Sequence, residues 1–290
     1  MPKHVPVMEE EALEWLAVRA DGTYVDCTTG LGGHGRRVAA LLGAAGRLVC
    51  LDRDAESLEL AREALAPLHA GIVFEHASFA ELPATLAKLG IGKVDGLLAD
   101  LGWSMHQLLS AERGFSFQLD GPLDMRMDRS SDGPTAADII NFAHEDRIAD
   151  ILYRFGEERR SRRIARAILR ARPVSSTKRL ATIIEQAVPR EGRISPATKT
   201  FQALRIAVNG EFEQLEALLQ AIPEVVNSGG RAVIITFHSL EDRMVKRAFQ
   251  DLARGGRARI LTKHVVTPSE EEVRRNPASR SAKLRALQIS

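Results

Sequence analysis

The residues of this chain that could carry chemistry are a glycine-rich stretch and three aspartates. Gly30-Leu-Gly-Gly-His-Gly follows a short apolar run, 24–28, that contains Asp26. Asp52 and Asp100 each end a later apolar run. A strand, a glycine turn and a helix N-terminus in succession are typical of nucleotide-binding α/β proteins, because backbone N–H groups at the turn can approach a ligand closely. The pattern therefore predicts a nucleotide-type ligand at this turn.

The glycine stretch alone does not decide which nucleotide is bound. Its match to G-x-G-x-x-G leaves a nicotinamide-dependent oxidoreductase open. Asp52 lies 22 positions after Gly30, where a carboxylate accepts hydrogen bonds from ribose hydroxyls in NAD and S-adenosylmethionine alike. Asp26 distinguishes between these two ligands, because a carboxylate repels the pyrophosphate of NAD but favours the ammonium and sulfonium of S-adenosylmethionine. We expect S-adenosylmethionine, with an Asp26 that only caps a backbone turn as the alternative.

Further positions fit a methyl-transfer site. Phe79 follows the third apolar run and is placed to pack on adenine, with a core role as the alternative. In Asp100-Leu-Gly-Trp-Ser, Asp100 and Ser104 can accept the hydrogens of an exocyclic base amine, and Trp103 can stack on an extruded base. His238 follows the fifth predicted strand, and both catalysis and a helix cap remain open for it.

The hydrophobic pattern predicts the elements that position these residues. Short apolar runs alternate with helical patterns over the first hundred residues, which indicates a parallel sheet with right-handed crossovers. Residues 105–205 carry successive helical patterns and no convincing buried strand, so we expect a mostly helical insertion. The predicted domains are therefore 1–104 with 206–290, and 105–205. The predicted strands are 24–28, 47–51, 71–75, 94–99, 229–237, 259–267 and 281–289, and the predicted helices are 9–18, 36–42, 55–65, 80–89, 136–142, 145–155, 159–170, 177–187, 196–210 and 211–226.

Composition narrows the class of protein. The 290 residues are 44% hydrophobic and 27% charged, which is typical of a globular chain with a sizeable core. Cys27 and Cys50 lie in apparent strands without metal-ligand spacing, so we expect reduced core cysteines and no metal. Neither a signal peptide nor an apolar run long enough to span a membrane is evident, and we expect a cytoplasmic protein.

Basic residues concentrate in the predicted insertion. Residues 151–205 contain 14 Lys or Arg against four Asp or Glu. A ladder of guanidinium groups on one helix face suits a phosphate backbone, and RNA is favoured over DNA because no groove-reading motif is evident. A solvated face paired with nearby acids is the alternative. The arginines that recur at helical spacing, and that we expect to bind RNA, are Arg159, Arg163, Arg166 and Arg170.

Several long motifs carry a resemblance to a known family. They are Gly32-Gly-His, Leu51-Asp-Arg-Asp, Glu112-Arg-Gly-Phe-Ser-Phe, Gly121-Pro-Leu-Asp-Met-Arg-Met-Asp, Gly156-Glu-Glu-Arg, Lys199-Thr-Phe-Gln-Ala-Leu-Arg-Ile, Phe237-His-Ser-Leu-Glu-Asp-Arg and Asn276-Pro-Ala-Ser-Arg-Ser. With these motifs, spread nearly end to end, the chain resembles the ribosomal RNA small subunit methyltransferase H family.

The resemblance implies both a fold and an activity. The fold would be a Rossmann-like class I methyltransferase sheet with a mostly helical inserted domain. The activity would be S-adenosylmethionine-dependent N4-methylation of a cytidine in the decoding region of 16S rRNA, within the small (30S) ribosomal subunit. By resemblance, the cofactor contacts fall on Gly32, Gly33, His34, Asp52, Phe79, Asp100 and Gln107.

Three stretches depart from the family pattern. The glycine loop reads Thr28-Thr-Gly-Leu-Gly-Gly where Thr-Phe-Gly-x-Gly-Gly is common, and the segment 249–267 is shorter than in relatives. The third departure follows Asp100. Trp103 and Met105 stand where Val and the second Ser of Leu-Gly-Val-Ser-Ser are usual. An RNA-binding assembly factor that keeps the fold without turnover therefore remains an alternative to the enzyme. The oligomeric state, monomer or homodimer, also stays open.

Overall fold

The computed structural model of the chain describes residues 6–68, 71–190 and 195–290. The chain forms two compact units. The first, here called the α/β unit, comprises Met1–Gly102 and Phe212–Ser290, and the second, the helical unit, comprises Trp103–Glu211. The insertion predicted from the sequence was 105–205.

The strands and helices are numbered in chain order over the described residues. Strands β1 to β7 are Thr23–Asp26, Arg47–Asp52, Gly71–His76, Val94–Asp100, Val226–Thr236, Ala258–Ile260 and Lys283–Ile289. Helices α1 to α13 are Glu9–Leu16, Gly33–Leu41, Ala55–Leu65, Leu82–Lys88, Met105–Leu109, Ala136–Phe142, Glu145–Gly156, Ser161–Arg170, Thr177–Ala187, Ala197–Asn209, Glu211–Val225, Ser239–Arg254 and Glu270–Arg275.

The strands of the α/β unit form a single sheet over the described residues. Their order is β3-β2-β1-β4-β5-β7-β6. Strands β1 to β5 run parallel, and β7 pairs antiparallel with both β5 and β6. The sequence order reverses between β1 and β4, and this switch point is where ligands bind in open α/β sheets. The predicted parallel sheet is present, and β6 and β7 add an antiparallel pair at one of its edges.

Alternation along the strands explains why both faces of the sheet are covered. In β2, Val49 and Leu51 pack into one hydrophobic cluster. Leu48 and Cys50 of the same strand pack into another cluster. Successive side chains of a strand point to opposite faces, so an almost wholly apolar strand needs packing on both sides. Cys27 and Cys50 are free and buried, as the sequence predicted.

The predicted C-terminal strand 259–267 was too long. Only Ala258–Ile260 pairs with β7, and Val266 forms an isolated bridge with Leu284. The hydroxyl of Thr262 accepts a hydrogen bond from the Ala286 N–H at 3.0 Å. A side-chain oxygen thus takes the place of a ladder carbonyl, and the regular strand pairing ends there.

The helical unit has its own hydrophobic core. Ile148 and Leu152 of α7, Ile164 and Ile168 of α8, and Ile184 of α9 are fully buried in one cluster. Each helix therefore contributes one apolar stripe and exposes its polar residues. No helix in the described part of the chain has the length and apolar character needed to cross a membrane.

The predicted arginine face is wrong at its N-terminal end. Glu157 has a left-handed φ of 47° and ends α7, so the backbone turns before α8 can begin at Ser161. Arg159 lies in this turn rather than on the helix. The remaining arginines of the predicted face are exposed on α8, and they are Arg163, Arg166 and Arg170.

Candidate active site

Three acidic residues end neighbouring strands of the α/β unit. Asp26, Asp52 and Asp100 are the last residues of β1, β2 and β4. These strands are adjacent and parallel, so their carboxyl ends meet at one edge of the sheet. The structure therefore brings together the three aspartates that the sequence singled out.

The glycine turn connects directly to one of these aspartates. Gly30, with φ 51°, donates its N–H to Asp52 Oδ2 at 2.7 Å. The other oxygen of Asp52 accepts the N–H of Asp54 at 2.8 Å. Gly32, with φ 81°, is the residue before α2, and this left-handed backbone disfavours a residue with a side chain. Asp52 is thereby fixed against the turn, and each of its oxygens keeps a second lone pair for a ligand.

Asp26 is buried, and one of its oxygens has no protein partner. Oδ1 accepts the Thr28 N–H at 3.3 Å, whereas Oδ2 is a buried atom without a hydrogen bond to any described residue. The pKa of Asp26 is raised to about 6, mainly by burial; the charge of His34 and the hydrogen bond from Thr28 oppose this rise, and the nearby carboxylates of Asp100 and Asp52 add to it. A Cβ on Gly35 would lie only 3.3 Å from this Oδ2, so the glycine leaves room for the carboxylate beneath α2.

His34 and Asp100 face each other at this edge. His34 Nε2 lies 3.5 Å from Asp100 Oδ2, an ion-pair distance without the geometry of a hydrogen bond. Burial lowers the pKa of His34, but the interactions with Asp100 and the charge of Asp26 outweigh burial, and the net pKa is raised. Oδ1 of Asp100 is another buried oxygen without a hydrogen bond among the described residues.

Thr28 was not singled out from the sequence, yet it joins two of these strand ends. Its hydroxyl accepts the N–H of Asp100 at 2.7 Å, while its own N–H donates to Asp26. The only sequence signal for it is its place between Asp26 and the glycine turn.

The edge has the electrostatic character that a cationic ligand requires. Leaving buried carboxylate oxygens without donors costs free energy, and like charges close together add to that cost. A ligand with N–H donors or positive charge removes both penalties. The ammonium and sulfonium of S-adenosylmethionine fit this demand, and a pyrophosphate does not. Asp26, His34, Asp52 and Asp100 are thus the residues that would hold such a ligand.

Phe79 is held by core packing. It opens a short 3-10 turn, Phe79–Glu81, that follows β3, and its half-buried ring packs against a hydrophobic cluster of the sheet. Ser78 before it forms a capping box with Glu81 and donates its hydroxyl to Gln214 at 2.7 Å. The ring is therefore fixed in place, and its predicted contact with adenine stays a prediction.

Ser104 and Gln107 belong to the helical unit, where they bind each other. Ser104 precedes α5, and its hydroxyl accepts the Gln107 N–H at 3.2 Å. The Gln107 side chain in turn accepts the Ser104 N–H at 3.0 Å. This capping box fixes the start of α5. The roles predicted for these two residues, catalytic and cofactor-binding, stay predictions.

Trp103 has a partner that the sequence did not reveal. The guanidinium of Arg205 lies 4.3 Å from the centre of the indole ring. Arg205 is buried and forms two hydrogen bonds with Glu211, at 2.7 and 2.8 Å. One face of the indole is thus covered by a cation that is itself fixed, and the side chain is still 41% exposed.

His238 caps α12. Its Nδ1 accepts the Glu241 N–H at 3.3 Å, and its Nε2 lies 3.0 Å from Glu241 Oε1. Glu241 also accepts the N–H groups of Phe237 and His238. Of the two roles left open from the sequence, the structure favours the helix cap.

Comparison with known proteins establishes the family. A model of the MraW methylase family matches residues 1–290. The chain belongs to the MraW methylase family. Among its relatives, ribosomal RNA small subunit methyltransferase H of Solibacter usitatus (strain Ellin6076) is 54% identical over 286 residues, covering 99% of this chain and 99% of the relative. The protein of the same name from Koribacter versatilis (strain Ellin345) is 51% identical over 294 residues, covering 98% of this chain and 93% of the relative.

Family membership confirms the resemblance carried by the motifs. It agrees with the strand order and helical insertion, so the predicted Rossmann-like class I methyltransferase fold is confirmed. Among similar solved structures, TrmN from Thermus thermophilus has a TM-score of 0.48 and 15% identity, covering 98% of this chain and 48% of that one. A likeness at this level adds nothing to what the family match and the strand order already show.

Proposed function

We propose that this methylase-family member transfers a methyl group from S-adenosylmethionine to N4 of a cytidine in the decoding region of 16S rRNA, within the small ribosomal subunit. The observation that carries the methyl donor is that Asp26 and Asp100 each have a buried carboxylate oxygen without a hydrogen bond to any described residue. The RNA substrate is supported by relatives at 54% and 51% identity, which are named ribosomal RNA small subunit methyltransferase H.

The donor contacts that we propose combine the resemblance with the geometry of the sheet edge. Gly32 donates its N–H to the Thr29 carbonyl at 2.7 Å and precedes α2, which begins at Gly33. The first N–H groups of a helix have no carbonyl partner within the helix and can bind a ligand. Asp52 accepts hydrogen bonds from ribose hydroxyls, and Phe79 packs on adenine. His34 and Asp100 are the other proposed donor contacts in the α/β unit. Gln107 is proposed as a contact only because of the family resemblance.

Bound S-adenosylmethionine supplies an electrophilic methyl group on a sulfonium. The protein must orient the acceptor amine, whose lone pair is delocalised into the cytosine ring. Asp100 is the residue to which we assign this task, because its carboxylate can accept an N4–H and draw the amine out of conjugation with the ring, which localises the lone pair on N4. With the methyl donor bound, bond formation between N4 and the methyl carbon would break the C–S bond and leave its electron pair on sulfur, and the N4 proton would leave to Asp100 or water. Ser104 is proposed as the second acceptor, and no step needs a metal.

The RNA contacts are assigned to the helical unit. Its exposed arginines on α8 present positive charge opposite the buried face of the helix. Arginine suits phosphate because its planar fork of N–H groups can bind two oxygens at once. The proposed RNA-binding residues are Arg163, Arg166 and Arg170 of α8, together with Arg159, which is exposed in the turn before this helix.

Methyl-label transfer tests the proposal most directly. Small ribosomal subunits that lack the modification are incubated with the protein and methyl-labelled S-adenosylmethionine, and the rRNA is digested and analysed by nucleoside mass spectrometry. We expect labelled N4-methylcytidine from the decoding region. A different labelled nucleoside would keep the reaction class and overturn the assigned base.

Two experiments, this label transfer and a comparison of thermal stability with added NADH or S-adenosylhomocysteine, separate the alternatives left open by the sequence. A non-catalytic assembly factor would bind the subunit and transfer no label. A nicotinamide-dependent oxidoreductase would be stabilised against heat by NADH rather than by S-adenosylhomocysteine. The family match and the unpartnered carboxylates favour methyl transfer over both.

A further inference from the structure

A basic cavity of about 580 Å³ lies between α8 and α9 of the helical unit. Arg163, Arg166 and Arg170 of α8 line it together with Arg179 of α9. Alanines and the buried Ile183 form the apolar part of its wall. A volume of this size falls within the range of about 300–1,000 Å³ that ligand pockets occupy.

The arginines of this cavity are poorly neutralised. Among the residues that the structure describes, no carboxylate lies within 4.0 Å of Arg163, Arg170 or Arg179. Arg166 is 3.7 Å from Glu145, but both side chains are more than one-third exposed, so the pair contributes little. Helix α8 itself contains no Asp or Glu. The protein thus gathers like charges around one cavity, an arrangement that an anion stabilises.

The spacing of the arginines indicates a ligand with several negative charges. Along an α-helix, which rises about 1.5 Å per residue, Arg163 and Arg170 are separated by about 10 Å. Four arginines spread over this length carry more positive charge than a single phosphate neutralises, whereas successive phosphates of a nucleic acid strand can match it. The apolar wall between the guanidinium groups suits the ribose or base that joins such phosphates.

We propose that the cavity between α8 and α9 binds a segment of RNA phosphodiester backbone, with Arg179 as a contact residue alongside Arg163, Arg166 and Arg170. This inference rests on the proposed function for the identity of the nucleic acid. It differs from the helix face predicted from the sequence, because it adds a second helix and leaves out Arg159, which lies in the turn before α8 and does not line the cavity.

Two matched pairs of variants test the cavity. Arg163→Gln and Arg179→Gln each remove a cavity residue, while Arg162→Gln and Lys178→Gln remove an exposed charge at the adjacent position of the same helix, outside the cavity. Binding of a fluorescein-labelled single-stranded RNA oligonucleotide is measured by anisotropy over a range of KCl concentrations. Thermal melting and S-adenosylhomocysteine binding check that each variant is folded.

We expect each cavity variant to bind the oligonucleotide about tenfold more weakly, since a charged hydrogen bond is lost. The slope of log affinity against log salt should fall by about 0.7 for each phosphate contact removed from a single strand. The neighbouring variants should keep the wild-type slope. Equal losses in cavity and neighbouring variants would overturn the inference, because they would indicate an attraction by overall charge alone.

Two further outcomes are distinguishable. Inorganic pyrophosphate that binds the wild type as tightly as the oligonucleotide, with loss of binding in Arg179→Gln, would assign the cavity to a free oligophosphate and overturn the RNA assignment. If the wild type transfers no methyl label to ribosomal subunits while the cavity variants alone lose salt-dependent RNA binding, the proposed function fails and the cavity assignment stands.

Discussion

The two units of this protein each gather charges of one sign, but they do so in opposite environments. The α/β unit ends three strands with aspartates, of which Asp26 is only 1% exposed. The helical unit gathers arginines around an open cavity, and those arginines are exposed. Gathering like charges costs much more free energy in the α/β unit than in the helical unit, because water screens exposed charges and is absent around buried ones.

This difference in environment determines what can be inferred about the ligand of each cluster. An ionised, buried carboxylate without a donor lowers the stability of the ligand-free protein, so its ligand must supply N–H donors or positive charge. Exposed arginines cost little on their own and therefore tolerate many anions. We infer that the aspartates determine the chemistry of the small ligand, whereas the arginines contribute affinity for a polyanion without sequence information.

The largest effect that we expect comes from a buried charge inside the helical unit. Arg205→Ala leaves Glu211, whose side chain is 11% exposed, without its arginine, which should lower the free energy of unfolding by about 3–5 kcal/mol. Urea denaturation measures the loss. Arg154→Ala is the matched control, because Arg154 pairs with Asp150 on the surface and its removal should cost at most about 0.5 kcal/mol. Equal losses would show that burial does not set the cost.

The next effect tests the buried acids through pH. Because the pKa of Asp26 is raised from 3.8 to about 6, the ligand-free protein is more stable at low pH and loses this contribution as the pH rises through 6. The Asp26→Asn side chain cannot ionise, so the variant should not lose stability as the pH rises through 6. Its free energy of unfolding should exceed that of the wild type by about 3 kcal/mol at pH 8, with no gain at pH 4. Urea denaturation at both pH values measures it.

The control for this pH experiment is the exposed acid Asp21, for which Asp21→Asn should change little at either pH. Asp52, whose pKa is also raised to about 6, and His34, whose pKa is raised, both shift stability with pH in the same direction. The Asp26 variant should therefore keep part of the wild-type pH dependence. A gain at pH 4 as large as that at pH 8 would refute the role of ionisation.

A third change tests ligand binding at the same edge. Asp52→Ala removes the acceptor that we propose for ribose hydroxyls, and affinity for S-adenosylhomocysteine should fall about 10- to 100-fold, corresponding to about 1.5–3 kcal/mol. Isothermal titration calorimetry measures the dissociation constant. Glu75→Ala, which alters an acid of the adjacent strand that pairs with Lys88, serves as the control. An unchanged dissociation constant in Asp52→Ala would exclude the proposed contact.

The smallest effect belongs to the exposed arginines. Arg170→Gln relieves repulsion among the cavity arginines and should raise the free energy of unfolding by at most about 0.5 kcal/mol. The same urea denaturation at low salt detects it, and added KCl should abolish it. A gain comparable with that of Asp26→Asn would remove the distinction between the buried and the exposed cluster.

Much of the fold could be predicted from the sequence because its elements have strong hydrophobic periodicity. Helix Ala55–Leu65 occurs over the residues that were predicted for it. The long helix Ser239–Arg254 and the short helices Met105–Leu109 and Glu270–Arg275 were missed. Each of the two short helices follows a serine whose side chain accepts an N–H three residues later, and such caps carry little hydrophobic signal.

The site was partly predictable for a similar reason. Aspartates at strand ends are visible in the sequence, because parallel strands end at one edge. The partners of Trp103 and His238 could not be predicted from the sequence. Arg205 is far from Trp103 along the chain, and Glu241 is one of several acids that follow His238. The helix start that excluded Arg159 depends on the left-handed backbone at Glu157, a conformation uncommon for a residue with a side chain.

The pairing of β4 with β5 has a consequence for how the chain folds during translation. The two strands are neighbours in the sheet, yet the whole helical unit is synthesised between them. Until β5 has left the ribosome, β4 is an apolar strand with one open edge, and such edges invite pairing with other chains. Contacts between sequence-distant strands also form slowly. A nascent chain that stalls within the helical unit therefore exposes an aggregation-prone edge, which chaperones would have to cover until synthesis resumes.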